Sequence, residues 1–360
     1  MTVHFEQFRT PVVASPARVA RVLADPGFGK HVTDHMVTIE HTREAGWHNA
    51  VVRPHERLEL SPCTSALHYG QAIFEGLKAY RQPDGSVACF RPDVNARRFR
   101  ASARRLAMPE LPEEWFLESL RELVIRDDRW VPDGHGRSLY LRPLMFATST
   151  DLVVGAGTEY LYVLVGMPAG DYFASGIAPL RVWLSNEYVR AAPGGTGAAK
   201  CAGNYAGTLV AQAEGAAEGC DQVVWLDATE RRWVEEMGAM NLFFVFGSRM
   251  VTPELTGSLL PGVIRDSVLL LAADLGYEVE ERRISVDEWE KTATSGELTE
   301  VFACGTAAVI APVGAVRHVT GGFDINGNEQ GPVTRLLRER LIAIQQGLAP
   351  DPYGWRHRLT

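Results

Sequence analysis

Lys200 follows the run Pro193-Gly194-Gly195-Thr196-Gly197-Ala198-Ala199 and stands just ahead of an alanine-rich stretch, Ala206–Ala217. Little in that neighbourhood would solvate an ammonium group. Desolvation depresses a lysine pKa, and the neutral amine is the form that attacks an aldehyde. The only other lysines are Lys30, Lys78 and Lys291, so the chain uses arginine for most of its positive charge. Taken alone, residue 200 reads more simply as a surface lysine.

A second string adds complementary chemistry: Glu235-Glu236-Met237-Gly238-Ala239-Met240-Asn241-Leu242-Phe243, then Met250-Val251-Thr252, then Leu260-Pro261-Gly262-Val263-Ile264-Arg265. A carboxylate at a strand end can hold the proton of a pyridinium ring and keep that ring an electron sink. Asn241, set in an apolar strand, must find hydrogen-bond partners, and fixing the turn that carries Glu236 would supply them. Pro261-Gly262 opens a helix whose first N–H groups, those of Val263 and Ile264, can bind a phosphate. Each feature has a plain alternative, since Glu236 could be a surface acid and Pro-Gly openings are common.

Positioning these groups requires a folded frame, and the periodicities outline one. Residues 1–30 read as irregular, and His35–His41 alternates as a strand. Phe99, Ala103 and Leu106 recur at the spacing of one helix face, and a helix is expected from Pro112 to about Asp128. Ser138–Phe146 and Glu159–Gly166 read as core strands. Pro168–Pro179, rich in proline and glycine, reads as a connection between domains. Beyond it come strands at Arg181–Ser185, Gln222–Leu226, Leu242–Phe246, Glu278–Arg283 and Leu298–Cys304. Helices over Ala206–Ala217, Pro261–Leu275 and Val286–Thr294 are interleaved with them. The mixture predicts an α+β fold, or α/β with mixed sheets, in two domains: residues 1–170, a loop over 171–180, and residues 181–360.

Bulk properties narrow the partners. The 360 residues carry a formal charge of −8, which argues against nucleic acid, because neutralising phosphates needs a basic surface. The arginines at 91, 97, 98, 100, 104 and 105 are a local exception. Five scattered cysteines without a CxxC read as reduced thiols. The N-terminus lacks the apolar run of a signal peptide, and no apolar run is long enough to span a bilayer. A cytoplasmic protein with no membrane partner is expected, and no metal is called for.

The second string matches, position by position, the class-IV aminotransferase pattern through Glu236, Gly238, Asn241, Leu242, Phe243, Thr252, Leu260, Gly262, Val263 and Arg265. Other segments resemble the branched-chain amino acid aminotransferases of that family: Gly195–Ala206 around Lys200, Thr33-Asp34-His35-Met36, Leu67–Gly76, Leu139-Tyr140-Leu141-Arg142-Pro143 and Gly305-Thr306-Ala307. The resemblance runs from about Phe28 to the C-terminus. It implies a two-domain, fold-type IV pyridoxal-phosphate enzyme. A smaller N-terminal α/β domain would precede a larger C-terminal domain built on a pseudo-barrel of mixed strands.

The resemblance also implies roles. Lys200 would hold pyridoxal 5′-phosphate as a Schiff base and shuttle the proton between Cα and C4′. Tyr205 would bond the cofactor phenolate and Glu236 its ring nitrogen. Arg98, Gly262, Val263, Ile264 and Thr306 would hold the phosphate, with Arg97 the competitor of Arg98. Phe28, Tyr69, Phe74 and Tyr140 would wall the substrate pocket, although unaided they read as core aromatics. The Thr306–Ala307 backbone would take the substrate carboxylate, and Arg142 would help receive the second carboxylate of glutamate. The loop with Leu152 and Val154 would close the pocket of a second subunit, so a homodimer is implied. The expected reaction moves the amino group of leucine, isoleucine or valine to 2-oxoglutarate. A lyase, a transaminase for another hydrophobic or D-amino acid, and a binding module without chemistry are the alternatives. Two departures stand out: Ala308 and Ala311 replace the CxxC of some relatives, and Ala239 replaces a hydroxyl residue.

Overall fold

The computed structural model describes residues 3–8, 13–170 and 178–360; most of the expected 171–180 connection therefore lies outside the described residues. The chain forms two compact units, neither of them one continuous stretch. One comprises Met1–Tyr172, Ala199–Ala202 and Ala343–Thr360; the other comprises Phe173–Ala198 and Gly203–Ile342.

The first unit is built on strands β1 (Glu6–Gln7), β2 (His35–Thr42), β3 (Gly46–Pro54), β4 (Ala72–Phe74), β5 (Leu77–Arg81), β6 (Val87–Phe90), β7 (Ser138–Ala147) and β8 (Glu159–Ala169). Their order in the sheet is β1-β3-β2-β8-β7-β5-β6, the C-terminal strand Arg356–Arg358 pairs with β6, and β4 pairs with β7. The antiparallel β7–β8 ladder runs unbroken from Ser138↔Ala169 to Ala147↔Tyr160. Val37, Ile39, Leu141 and Tyr162 from the sheet pack with Phe99 and Phe116 from the helices Pro92–Arg105 and Glu113–Arg126. Residues 1–30 are not irregular throughout, because a helix spans Pro16–Ala24. Its start is written in Ser15-Pro16: the serine hydroxyl accepts the Arg18 N–H, and proline occupies the first turn, where its missing N–H costs nothing.

The second unit holds β9 (Leu180–Leu184), β10 (Gln222–Leu226), β11 (Val234–Met237), β12 (Met240–Phe246), β13 (Arg249–Thr252), β14 (Glu278–Glu281), β15 (Glu300–Gly305), β16 (Val309–His318) and β17 (Gly321–Asp324). The order β11-β10-β9-β16-β15-β12 returns to β11 through Glu236↔Asn241 and Met237↔Met240, which closes a six-stranded barrel. Along β12 the side chains alternate. Leu242, Phe244 and Phe246 join a cluster with Val224, Val301 and Trp289, while Phe243 stacks on its cross-strand partner Phe302 at 5.1 Å. Both faces are buried, which is why β12 reads as a continuous apolar run rather than an alternating one. No helix among the described residues is long and apolar enough to cross a membrane.

Candidate active site

In the first unit, Lys200 lies on a short segment stitched by its backbone to β4. The Phe74 N–H donates to the Lys200 carbonyl at 3.0 Å, and the Ala202 N–H donates to Ala72 at 3.0 Å. The Lys200 N–H in turn donates to Ser102 Oγ at 2.9 Å. The lysine backbone is thus held from both sides, and Nζ lies 4.9 Å from the centre of the Phe74 ring. Burial, with Arg98 adding like-charge repulsion, pulls the Lys200 pKa down to about 8, against the opposing pull of Glu75 and Tyr140. A substantial fraction of neutral amine is therefore present near pH 8.

Arg98 and Ser102 share the buried face of the helix Pro92–Arg105, four residues apart. Arg98 grips the fully buried Glu75 in bidentate fashion, Nε to Oε1 at 2.7 Å and Nη2 to Oε2 at 2.8 Å, and Asn95 Nδ2 donates to Oε2 at 2.7 Å. Burial pushes the Glu75 carboxyl up, but Arg98, Lys200 and Asn95 together hold it below its ordinary value. Arg97 instead faces solvent and pairs with Asp93 at 2.7 Å. Of the two neighbouring arginines, Arg98 is the one placed beside the lysine. Glu75 had no role assigned from sequence, although it follows Phe74 directly in a motif already singled out.

Tyr140 and Arg142 alternate onto one face of β7. Arg142 Nη2 donates to the Tyr140 hydroxyl at 3.0 Å, and its guanidinium lies over the Phe74 ring at 4.8 Å. Phe28 meets Tyr140 edge-on at 5.1 Å. The structure thus gathers Phe28, Phe74, Tyr140, Arg142 and Lys200. Tyr69 stands partly exposed with its ring toward His68, and Val154 is 83% exposed.

The second unit supplies a carboxylate and a helix N-terminus. Glu236, on β11, is buried; its Oε1 accepts the Leu260 N–H at 2.5 Å and Asn241 Nδ2 at 3.4 Å. Asn241 Nδ2 also donates to the Leu260 carbonyl at 3.1 Å, so the asparagine ties the acid to the loop before the helix Val263–Asp274. Gly262 is the N-cap of that helix and offers no side-chain bond to its first N–H groups. A Cβ at 262 would strike Asn241 Oδ1, so glycine is required where loop and strand meet. Thr306 and Ala307 form the turn between β15 and β16; β15 pairs Cys304 with Asn241, which brings this turn to the same barrel end as Glu236. Tyr205 lies in a short helix, Gly203–Ala206, next to Asn204, whose amide exchanges bonds of 2.6 and 2.8 Å with Thr196 and so ties down the glycine-rich loop.

Sequence reasoning also passed over Arg190. Its Nε lies 3.1 Å from Glu236 Oε2, and Nη2 donates to the carbonyls of Ser258 and Gly197. Nothing local marks it, since it is a single arginine in an irregular stretch.

The model of the amino-transferase class IV family matches residues 72–316. The branched-chain-amino-acid aminotransferase of Mycolicibacterium smegmatis is 61% identical over 94% of each chain, and that of Mycobacterium tuberculosis H37Rv is 57% identical over 99% of each. Among solved structures, the branched-chain amino acid aminotransferase of Escherichia coli is 27% identical. It superposes with a TM-score of 0.72 over 91% of this chain and 99% of that one. The Thermobaculum terrenum enzyme in its PLP form, 25% identical, gives 0.73 over 90% of this chain and 98% of that one. The chain belongs to the class IV aminotransferases. Within that family it groups with the branched-chain-amino-acid aminotransferases, and it shares their fold, in which helices and mixed sheets surround a closed barrel.

Proposed function

We propose that the protein reversibly transfers the amino group of L-leucine, L-isoleucine or L-valine to 2-oxoglutarate, giving a branched-chain 2-oxo acid and L-glutamate, with pyridoxal 5′-phosphate held as a Schiff base by Lys200. The observation that carries the reading is Lys200 itself: a half-buried lysine with a depressed pKa, fixed through its backbone beside Phe74, Tyr140 and Arg142. These residues fit the cofactor. A partly neutral amine suits an aldehyde, the buried Glu236 suits a ring nitrogen, and the glycine-opened helix suits a phosphate.

When bound, the cofactor supplies the electron sink for the electrons released at Cα. Lys200 moves the proton at that carbon, and Glu236 holds the ring-nitrogen proton in place. Tyr205 steadies the phenolate oxygen. Arg98, Gly262, Val263, Ile264 and Thr306 retain the phosphate. The apolar rings of Phe28, Tyr69, Phe74 and Tyr140 exclude water from a branched side chain, and the Thr306–Ala307 backbone orients the α-carboxylate. Arg142 offers a cation to the side-chain carboxylate of glutamate.

Homodimer formation is part of the reading, supported by Leu152, Val153 and Val154, which stand 53, 68 and 83% exposed in a single chain and would be covered by a second copy. A cytoplasmic location accords with the free cysteines. The test is the visible absorbance of the purified protein. Leucine should bleach the cofactor band and 2-oxoglutarate should restore it. Pyruvate release in place of amino transfer would point to lyase chemistry, and a band indifferent to L-leucine but responsive to D-amino acids would overturn the substrate assignment.

A further inference from the structure

Glu236 has two carboxylate oxygens with different surroundings. Oε1 is taken by neutral donors, the Leu260 N–H and the Asn241 amide. Oε2 faces Arg190 Nε at 3.1 Å, near enough for an ion pair although the N–H is not aimed along the line between them. Both side chains are almost wholly buried, at 7% and 2% exposure, so this is not a loose surface pair. Arg190 is itself anchored, because Nη2 donates to the main-chain carbonyls of Gly197 and Ser258. Those carbonyls fix the guanidinium without neutralising it, which leaves its positive charge to act on the carboxylate.

The neighbouring acid provides an internal contrast. Glu235 is one residue earlier on the same strand and as deeply buried, and Ser258 Oγ donates to its Oε1. Burial outweighs its partners and raises its pKa. Arg190 and Arg283 act on Glu235 only from further off, whereas among the described residues Glu236 has the Arg190 guanidinium at ion-pair distance. An isolated buried carboxylate takes up a proton, and a cation within about 4 Å opposes this.

We infer that Arg190 is a positioning residue for the cofactor ring: it keeps Glu236 ionised, so that the acid accepts a proton-bearing ring nitrogen rather than presenting a proton of its own to a neutral one. The inference rests on the proposed role of Glu236. It assigns part of the electronic tuning to a residue that need not touch the cofactor. It also gives the Gly197 carbonyl a task, since the glycine-rich loop ahead of Lys200 holds the arginine in place. A Cβ at 197 would collide with the Ser258 backbone, so the two anchors of Arg190 meet across a contact that only glycine allows.

The test uses holoenzyme reconstituted with cofactor labelled with nitrogen-15 in the ring, whose resonance reports ring protonation directly. Wild type, Arg190→Lys, Arg190→Gln and Glu236→Gln are compared, together with single-turnover rates with leucine. Glutamine at 190 retains an amide for the two carbonyls but not the charge. Arg190→Gln is expected to move the resonance toward the neutral ring and to slow the leucine half-reaction by about 10-fold or more. Arg190→Lys, which restores the charge, should recover the wild-type resonance. A ring that stays protonated in Arg190→Gln but not in Glu236→Gln overturns the role of Arg190 and leaves that of Glu236 standing. A ring protonated in both variants overturns the underlying reading as well. Should Arg190→Gln and Arg190→Lys lose ring protonation equally, the effect would be one of shape and not of charge, and the inference would fall.

Discussion

The Tyr140 hydroxyl occupies the place where a Cβ on residue 76 would stand. Gly76 is therefore the floor on which the phenol rests, and the phenol in turn receives Arg142. A single absent methyl group thus sets the position of two groups assigned to the substrate pocket.

Gly76→Ala should push Tyr140 off its site and cost about 1–3 kcal/mol of stability, the usual price of overpacking. Tyr140→Phe removes the most crowded atom, so the double variant should recover part of that loss. A thermodynamic cycle in denaturant would show the coupling, and strict additivity of the two changes would refute the steric link.

Lys200→Met in the cofactor-free protein bears on the depressed lysine. The folded state releases the Lys200 proton near pH 8 and the unfolded chain near 10.5, so between these values the unfolded state binds more protons. Stability of the wild type, measured relative to the variant, should therefore climb as pH rises across that window, by roughly 3 kcal/mol in all. Below pH 8 the variant should hold its full advantage. A flat difference from pH 7 to 11 would mean that the lysine is solvated.

Lys200→Ala should abolish turnover and remove the visible cofactor band, because the other three lysines lie in unrelated sequence contexts. Borohydride reduction followed by mass spectrometry gives the decisive reading; a reducible adduct surviving in the variant would move the attachment elsewhere.

Arg142→Met addresses dual specificity. The guanidinium sits on two aromatic rings, and its Nε is buried without an acceptor among the described residues. A carboxylate brought into an otherwise apolar pocket needs such a cation. The variant should lose about 2 kcal/mol or more in kcat/KM for glutamate and 2-oxoglutarate while leucine half-reactions change much less. Equal losses would make Arg142 structural.

Asp227 supports the turn between β10 and β11, where its carboxylate accepts the N–H groups of Thr229, Glu230, Arg232 and Trp233. Burial raises its pKa, but these bonds win and hold it below the ordinary value. Its contribution should be full at neutral pH and fade as pH falls through that lowered value. Asp227→Ala should cost about 1–3 kcal/mol at pH 7, and thermal melts at pH 7 and pH 3 would show the gap narrowing.

What could be read from the sequence was chemistry confined to short windows. The Glu236–Asn241 hairpin and the glycine-opened helix after Leu260 are local, and the Asn241 bonds found in the structure are those its apolar surroundings demanded. The Glu75–Arg98 pair joins residues 23 apart on a strand end and a helix, so no spacing rule reaches it. Arg190 meets Glu236 through a loop without regular structure. Barrel closure depends on β9 pairing in parallel with β16, Val182 against Val316, and register between strands so distant in sequence leaves no periodic trace. The helix at Pro16–Ala24 was different, since its Ser-Pro start was present and went unused.

The segment Ala199–Ala202 belongs to the unit that is otherwise formed by the first 172 residues and the last 18. During synthesis β4 leaves the ribosome well before the segment that pairs with it, and the strand Arg356–Arg358, which pairs with β6, emerges later still. The first unit therefore cannot complete its hydrogen bonding until the residues of the second have been made, in contrast to domains that mature in order of emergence. An N-terminal fragment ending near residue 172 would carry unfilled strand edges at both places and should self-associate. Gene-splitting or domain-exchange experiments on this chain must therefore transfer three separate stretches together.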